Sequence, residues 1–264
     1  MLTDEQKQAA ADHLWQHWRD DRRMPALPIS IRPMERVEGY AIQALLESQT
    51  KVPLFGWKIA ATSAAGQTHI GVTGPLAGRL LAERAFDSGS ELCLGHNVMR
   101  VVEPEFAFRM ERDLPPRPQP YQFEEVINAV GALHPALEIP DSRFTDFAAV
   151  GAPQLIADNA CADEFVLGPA ATTDWRSVDL AHFEVRASVR GAPIRVGSGA
   201  NVLGDPRVAL TWLANELSSI QVALRAGQIV ITGTCMAPLA VAPGNVVLAD
   251  FGPLGAVTLS FADD

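Results

Sequence analysis

Cysteine is scarce in this chain and unpaired. The 264 residues hold three, Cys93, Cys161 and Cys235, far apart and outside any C-x-x-C spacing. That argues against a disulfide framework or a thiolate zinc site and for a reducing compartment. The N-terminus, Met-Leu-Thr-Asp-Glu-Gln-Lys, lacks a basic segment followed by an apolar stretch, so no secretory signal is expected and the cytoplasm is the expected location. No apolar run is long enough to span a bilayer. Positive charge is also short: the net charge is −10 and the sequence pI about 5.1. Such a chain lacks the basic footprint of a nucleic-acid binder and is repelled by anionic lipid. An anionic substrate would need a local attraction, such as a bound cation. Repeats and low-complexity tracts are absent, as is the G-x-S-x-G elbow of a serine hydrolase. Gly197-Ser198-Gly199-Ala200 lacks the third glycine and the strand–helix–strand setting of a dinucleotide site.

What is present is enough apolar material, 48% of residues, to bury the core of one large domain. Thr3 to about Asp21 predicts a helix, with Thr3 as cap, Glu5 and Gln6 in the first turn, and Ala10, Leu14 and Trp18 forming one stripe. Pro25, Pro28 and Pro33 make the next segment an extended connection. A second helix is expected from Met34 to about Ser48, with Val37, Tyr40, Ala41 and Leu45 on its inner face. Residues 1–52 therefore read as a helical segment packed on a body of residues 53–264.

In that body short apolar runs alternate with glycine and proline. Strands are expected over Gly56–Ala60, Val98–Phe108, Leu137–Ile139, Phe165–Gly168, Phe183–Arg190, Gln228–Thr232, Val246–Phe251 and Gly255–Phe261. Helices are expected over Phe123–Leu133 and from Pro206, behind the capping Asp205, to about Leu224. Pro115–Pro120 reads as a loop. Strands and helices do not alternate regularly, so the expected class is α+β with mostly antiparallel strands.

The clearest chemistry lies in Val101-Val102-Glu103-Pro104-Glu105-Phe106-Ala107-Phe108. Alternation along a strand puts Glu103 and Glu105 on one side and Val102, Phe106 and Phe108 on the other. Two neighbouring carboxylates repel unless a cation lies between them, and oxygen ligands suit Mg²⁺ or Mn²⁺. Glu138, in the apolar run Ala136-Leu137-Glu138-Ile139, also needs a partner. Two plainer readings stay open: an edge strand, which Pro104 suits, with a solvated acidic face, and Arg143 as the counterion of Glu138.

Several blocks resemble one known family. Gly56-Trp57-Lys58-Ile59-Ala60-Ala61-Thr62 resembles its G-x-K-[IV]-G-x-T segment, with Gln67 and Gly71-Val72 following. Glu103-Pro104-Glu105 is similar to its E-x-E metal motif, and Pro135-Ala136-Leu137-Glu138 with Ser142-Arg143 to its P-A-L-E-x-x-x-S-R block. Asp158-Asn159-Ala160, Val166-Leu167-Gly168, Gly199-Ala200, Leu203-Gly204, Trp212-Leu213-Ala214, Ala226-Gly227-Gln228-Ile229-Val230 and Thr232-Gly233 continue the pattern in order, over roughly Tyr40 to Phe261. The family is that of 2-keto-4-pentenoate hydratases and 4-oxalocrotonate decarboxylases, within the fumarylacetoacetate hydrolase superfamily.

The resemblance implies a twisted, mixed β-roll with flanking helices and a Mg²⁺ or Mn²⁺ ion held by Glu103, Glu105 and Glu138. It implies a homo-oligomer with a small 2-keto acid as substrate and neither nucleic acid nor membrane as partner. The implied reaction is a step of aromatic catabolism, addition of water to a 2-hydroxydienoate or its 2-keto tautomer. Lys58 would transfer a proton or stabilise charge at the substrate oxygens, and Gly199, Thr234 and Asn159 would approach the substrate. The sequence departs from the pattern at Gly71-Val72-Thr73-Gly74-Pro75-Leu76, where the hydratases carry an acid at the position of Leu76. Glu83 and His69 are the nearby replacements. Cys161 stands where relatives often have serine and reads as a buried structural residue. Arg79, Arg84 and Arg109 are either selectors of a second carboxylate or surface charges. Leu76 keeps a decarboxylase or tautomerase in view, beside a non-catalytic subunit or binding protein.

Overall fold

Thr3 opens the first helix with a reciprocal cap: its backbone N–H donates to Gln6 Oε1 at 2.8 Å, and the Gln6 N–H donates to Thr3 Oγ1 at 3.2 Å. The computed structural model describes residues 1–263. Helix α1 runs Asp4–Arg19 and buries Ala10, Ala11, Leu14 and Trp18. Helix α2, Arg36–Ala44, continues as a 3₁₀ turn over Leu45–Gln49. Its inner face differs from the expected one. Val37 is exposed, and Glu38, Gly39, Tyr40, Ile42 and Gln43 are buried. Glu38 turns inward because its carboxylate accepts the N–H groups of Leu2 at 2.6 Å and Met34 at 2.8 Å. Ala10, Ala11, Leu14, Met24, Leu27 and Ile42 form a small core shared with Phe144 and Ala157 of the body.

Two sheets make up the body. Its elements in order are β1 Gly56–Ala60, α3 Ala64–His69, β2 Leu76–Leu80, β3 Ala85–Asp87, β4 Glu91–Leu92, β5 Val101–Met110, α4 Phe123–Ile127, β6 Val130–Ile139, α5 Ala152–Ala157, β7 Glu164–Leu167, β8 Glu184–Val189, β9 Arg195–Ser198, α6 Pro206–Ser219, β10 Ile229–Thr234, β11 Leu239–Ala240, β12 Val246–Asp250 and β13 Ala256–Phe261. The larger sheet has the order β2-β1-β10-β5-β6-β7-β3, with β11 also pairing to β5; the smaller has the order β4-β13-β12-β8-β9. Pairing is antiparallel except at β1–β10, β3–β7 and β4–β13. The class is therefore α+β with mixed, mostly antiparallel sheets.

The apolar side of β5 faces the core. Phe106 meets Phe251 edge to face with ring centroids 5.1 Å apart, and Val102, Phe106 and Phe108 lie in one cluster with Val247, Val257 and Leu259. Two expectations shift in extent. The helix from Phe123 stops at Ile127, and Val130 to Leu133 instead begins β6, where pairing with Arg109, Phe108 and Met110 decides a run whose apolar pattern suits either state. Helix α6 ends at Ser219, short of Leu224. Strands β2, β3, β4, β9 and β11 and helices α3 and α5 carry no expectation from the sequence. No helix among the described residues is long and apolar enough to cross a membrane. All three cysteines are free, Cys93 exposed and the other two buried.

Candidate metal centre

Strand β5 lies between β10 and β6, which removes the edge-strand reading of its acids. Register places Glu103 opposite Glu138 on β6, and Glu105 opposite Thr234 on β10. One carboxylate oxygen from each of Glu103, Glu105 and Glu138 lies within 4.8 Å of the others, the one such cluster among the described residues. Pro104 is accommodated in mid-sheet because the β10 register shifts between Ile231 and Thr234, next to the point where Pro104 O accepts the Cys235 N–H at 3.0 Å. A proline has no N–H to donate, and an irregular point in the ladder is where one fits. Gly233 sits in that irregularity with φ +100°. Its N–H donates to Glu105 Oε2 at 2.6 Å, and a Cβ there would stand 2.1 Å from Thr62 Oγ1.

The acids are underpaired. Glu105 and Glu138 are buried, and Glu103 keeps part of its surface open to a cavity. Glu105 Oε1 and both Glu138 carboxylate oxygens have no hydrogen-bond donor. Lys58 Nζ stands 2.9 Å from Glu138 Oε1, an ion pair whose angles fall outside hydrogen bonding, and donates to Ala160 O at 3.0 Å. Burial, then the Glu138 charge, pushes Glu103 up to about 7 against the opposing pull of Lys58. Burial, with Glu138 and Glu103 adding, holds Glu105 well above the ordinary carboxylate range. Burial by itself would lower Lys58, but the neighbouring acids, Glu138 foremost, outweigh it and keep the ammonium above its usual value. One cation facing three carboxylates leaves an excess of buried negative charge. Orphaned, convergent oxygen donors are the fit expected for a hard divalent ion.

Lys58 is aimed by a tight turn. Asn159, Ala160 and Cys161 all adopt positive φ, at 56°, 51° and 60°, which turns the Ala160 carbonyl toward Nζ. Asn159 fastens this turn to β2: its Oδ1 accepts the Arg79 N–H at 2.6 Å and its Nδ2 donates to Arg79 O at 2.8 Å. Next to it Gly78 is required, because a Cβ would lie 2.5 Å from Asn159 O and 2.9 Å from the Lys58 side chain. Beneath the turn Arg143 pairs with Asp158, which also accepts the Ser142 hydroxyl at 2.6 Å. Arg143 is thus the partner of Asp158 and not of Glu138.

A cavity of about 590 Å³ opens beside the acids and Lys58. Thr234 lines it, its hydroxyl donating to Met236 O at 2.8 Å. Asn159 does not, since both ends of its amide are taken by Arg79. Gly199 does not either: a Cβ would stand 1.9 Å from Leu180 O, so this glycine serves backbone packing. Glu83 is exposed on a 3₁₀ turn, accepts the Lys51 N–H at 3.3 Å, and is absent from the cavity wall. Leu76 is fully buried and lines the wall, and His69 lines it edge-on to Phe147 with centroids 5.9 Å apart. Cys161 lines the wall with a thiol that burial pushes up to about 12.

None of the three arginines considered from the sequence faces the cavity. Arg79 is buried against Glu47, Gln43 and the Trp57 ring. Arg84 pairs with Asp163 and Glu164, and Arg109 points outward beside His134. Sequence reasoning missed Asn201, whose Nδ2 donates to Cys235 O at 2.7 Å on the cavity wall; it directly follows the matched Gly199-Ala200 pair. It also missed Thr62, although that residue closes the block containing Lys58.

Comparison with known proteins agrees with this geometry. A family model described as fumarylacetoacetate (FAA) hydrolase C-terminal matches residues 89–261. The 2-keto-4-pentenoate hydratase of Paraburkholderia xenovorans (strain LB400) is 32% identical over 98% of this chain and 96% of its own. A 4-oxalocrotonate decarboxylase of Pseudomonas sp is 33% identical over 78% of this chain and 77% of its own. The solved structure of 4-oxalocrotonate decarboxylase from Pseudomonas putida G7, complexed with magnesium and adipate, superimposes with a TM-score of 0.89 at 26% identity, covering 99% of each chain. With a metal-type carboxylate cluster at the matched E-x-E positions and the fold aligned end to end, the chain belongs to the fumarylacetoacetate hydrolase superfamily, in its branch of 2-keto-4-pentenoate hydratases and 4-oxalocrotonate decarboxylases.

Proposed function

We propose that the protein is a divalent-metal-dependent hydro-lyase that adds water to a 2-hydroxydienoate or 2-keto-4-enoic acid of the 2-keto-4-pentenoate kind, as a cytoplasmic step in aromatic catabolism. The observation that carries this is the buried cluster of Glu103, Glu105 and Glu138 with Lys58 at the end of a ligand-sized cavity. The full-length similarity to curated hydratases supports it. Glu103, Glu105 and Glu138 would hold the ion; Mg²⁺ or Mn²⁺ matches an all-oxygen donor set, and the decarboxylase relative was solved with magnesium. When bound, such an ion supplies Lewis-acid stabilisation of charge developing on the oxygens of a 2-keto acid.

The chain's own groups do the rest. Lys58 Nζ, charged and fixed by Glu138 and Ala160 O, presents a proton to the substrate's C2 oxygen. Thr234 Oγ1 orients the same end. The apolar wall keeps bulk water from the reacting carbons. Leu76 cannot move a proton, and the Cys161 thiol, kept protonated by its burial, has no thiolate to serve as a base. Of the two replacements considered for the missing acid, only His69 reaches the wall, so water activation is assigned to His69 and not to Glu83. Self-association into a homo-oligomer belongs to the same reading; Ile194, Val196 and Leu248 are exposed apolar residues on or beside the smaller sheet.

A second reading, a decarboxylase or tautomerase, draws on the apolar Leu76 where a hydratase acid is expected. Stripping the protein of metal, adding Mg²⁺ or Mn²⁺ and supplying 2-hydroxypenta-2,4-dienoate separates the two. Metal-dependent appearance of 4-hydroxy-2-oxopentanoate by NMR is the expected outcome. Ketonised but unhydrated product would favour the tautomerase, and CO₂ released from a dicarboxylated analogue the decarboxylase.

A further inference from the structure

We infer that the far end of the cavity is a subsite for an uncharged, apolar substituent, so that the substrate is a 2-keto acid or its dienol with an alkyl or aryl tail and no second carboxylate. This rests on the reading above, in which the keto-acid end lies at the three acids.

Direction along the strands carries the argument. On β1 the next residue on the face of Lys58 is Ala60, which pairs with Leu76 on β2. On β5 the next residue outward on the face of Glu103 is Val101, and Met99, in the turn that precedes the strand, also lines the wall. Side chains two apart on a strand share a face and lie about 7 Å apart. Two of the three strands that carry the polar cluster, β1 and β5, therefore turn apolar within one step of it. Phe147, Leu155 and Ile70 complete that wall. The Ser63 hydroxyl there accepts the Gly66 N–H at 3.0 Å as the cap of α3, and His69 lies edge-on to Phe147.

Charge and size point the same way. Among the described residues Lys58 is the only lysine or arginine on the wall, and Glu138 holds it at the acidic end. Arg79, Arg84 and Arg109 are all engaged elsewhere. A second carboxylate laid against this wall would exchange part of its hydration for apolar side chains and would meet no lysine or arginine among the described residues, which is costly. A volume of about 590 Å³ lies within the range of pockets that hold drug-sized ligands, roughly 300–1,000 Å³. A pentadienoate would leave most of it empty, whereas each buried methylene strengthens binding by about fourfold.

The test uses saturated 2-oxo acids, which have no double bond to hydrate. The Mg²⁺-loaded protein is titrated calorimetrically with 2-oxopentanoate, 2-oxooctanoate, 2-oxo-4-phenylbutanoate and 2-oxoadipate. Affinity should rise about fourfold per added methylene to 2-oxooctanoate, with the phenyl compound also above 2-oxopentanoate. It should fall by about tenfold or more from 2-oxopentanoate to 2-oxoadipate. Equal affinities along the alkyl series, or 2-oxoadipate as the tightest ligand, would overturn the inference. In Phe147→Ala and Met99→Ala, with native circular dichroism, the ratio of 2-oxooctanoate to 2-oxopentanoate affinity should drop roughly threefold or more; an unmoved ratio in both counts against the subsite. Flat binding beside good dienoate turnover sinks the subsite and leaves the hydratase. A clear tail preference without turnover of any dienoate sinks the hydratase and leaves the subsite. Failure of every 2-oxo acid to bind sinks both.

Discussion

The two ends of the cavity are built on opposite principles. At the inner end, Glu105, Glu138 and Lys58 are buried polar groups that cannot satisfy one another, and two of the acids keep carboxylate oxygens without a donor. At the outer end, Leu76, Leu155, Met99 and Phe147 come from separate elements and need nothing but contact. The inner end therefore depends on a missing charge and the outer end on shape. Buried charge in a low-dielectric site responds sharply to the loss of one partner, whereas apolar walls respond in proportion to the area removed. Substitutions should separate the two ends by size of effect.

The largest effect is expected for Glu105→Gln, which removes one of three anionic donors while leaving an oxygen for the Gly233 N–H. Divalent-ion affinity should fall by about a hundredfold or more with the fold retained. Titration of Mn²⁺ into a natively folded variant at unchanged affinity would refute the assignment. Next is Lys58→Met. With Glu138 left buried and unpaired, the chelator-treated protein should lose about 3 kcal/mol or more at pH 8 by denaturant unfolding, and turnover should fall by about a hundredfold or more. A variant as stable as the parent would mean that Lys58 does not compensate the acids.

A smaller effect should appear with pH in the unsubstituted protein. Glu103 is raised from an ordinary value near 4.5 to about 7, so the folded chain holds that proton more tightly than the unfolded chain. Metal-free protein is then most stable below the ordinary carboxylate value, and it loses stability as pH rises through about 7. The gain in melting temperature on adding Mg²⁺ should be larger at pH 8 than at pH 5.5, and scanning calorimetry showing equal gains would contradict it. The smallest effect is expected outside the cavity altogether. Glu83→Ala, on an exposed turn, should leave turnover and melting behaviour within about twofold and a degree or two of the parent; a severe loss of activity would return Glu83 to the site.

The sequence showed the inner end far better than the outer one. Alternation in β5 identifies which face the acids share, because that periodicity is local. The partner of Glu138 was not legible. Arg143, five residues away, is nearer in sequence than Lys58, but the fold gives Arg143 to Asp158 and brings Lys58 from a strand beyond β10. Strand β2 escaped notice because Leu76-Ala77-Gly78-Arg79-Leu80 has no alternation. All five residues are buried, and Gly78 is needed only because Asn159 and Lys58 crowd it from elsewhere in the chain. Asn159 and Gly199 were placed near substrate through the resemblance, and structure finds them holding backbone instead. The outer wall left no motif at all, since its members meet only after folding.

Pro104 has a consequence for assembly as well as for the finished site. A strand displaced by one residue turns every side chain over, so a slipped β5 would send Glu103 and Glu105 among the aromatic rings between the sheets and bring Phe106 out. Such an error would cost the chain its chemistry while keeping most of its ladder. The missing amide hydrogen penalises it. Pro104 suits the stretch where β10 loses its regular register between Ile231 and Thr234, and elsewhere along the pairing it would face a carbonyl it cannot satisfy. The residue between the two acids thus acts as a key to alignment, admitting the arrangement that gathers the carboxylates and disfavouring its nearest neighbours.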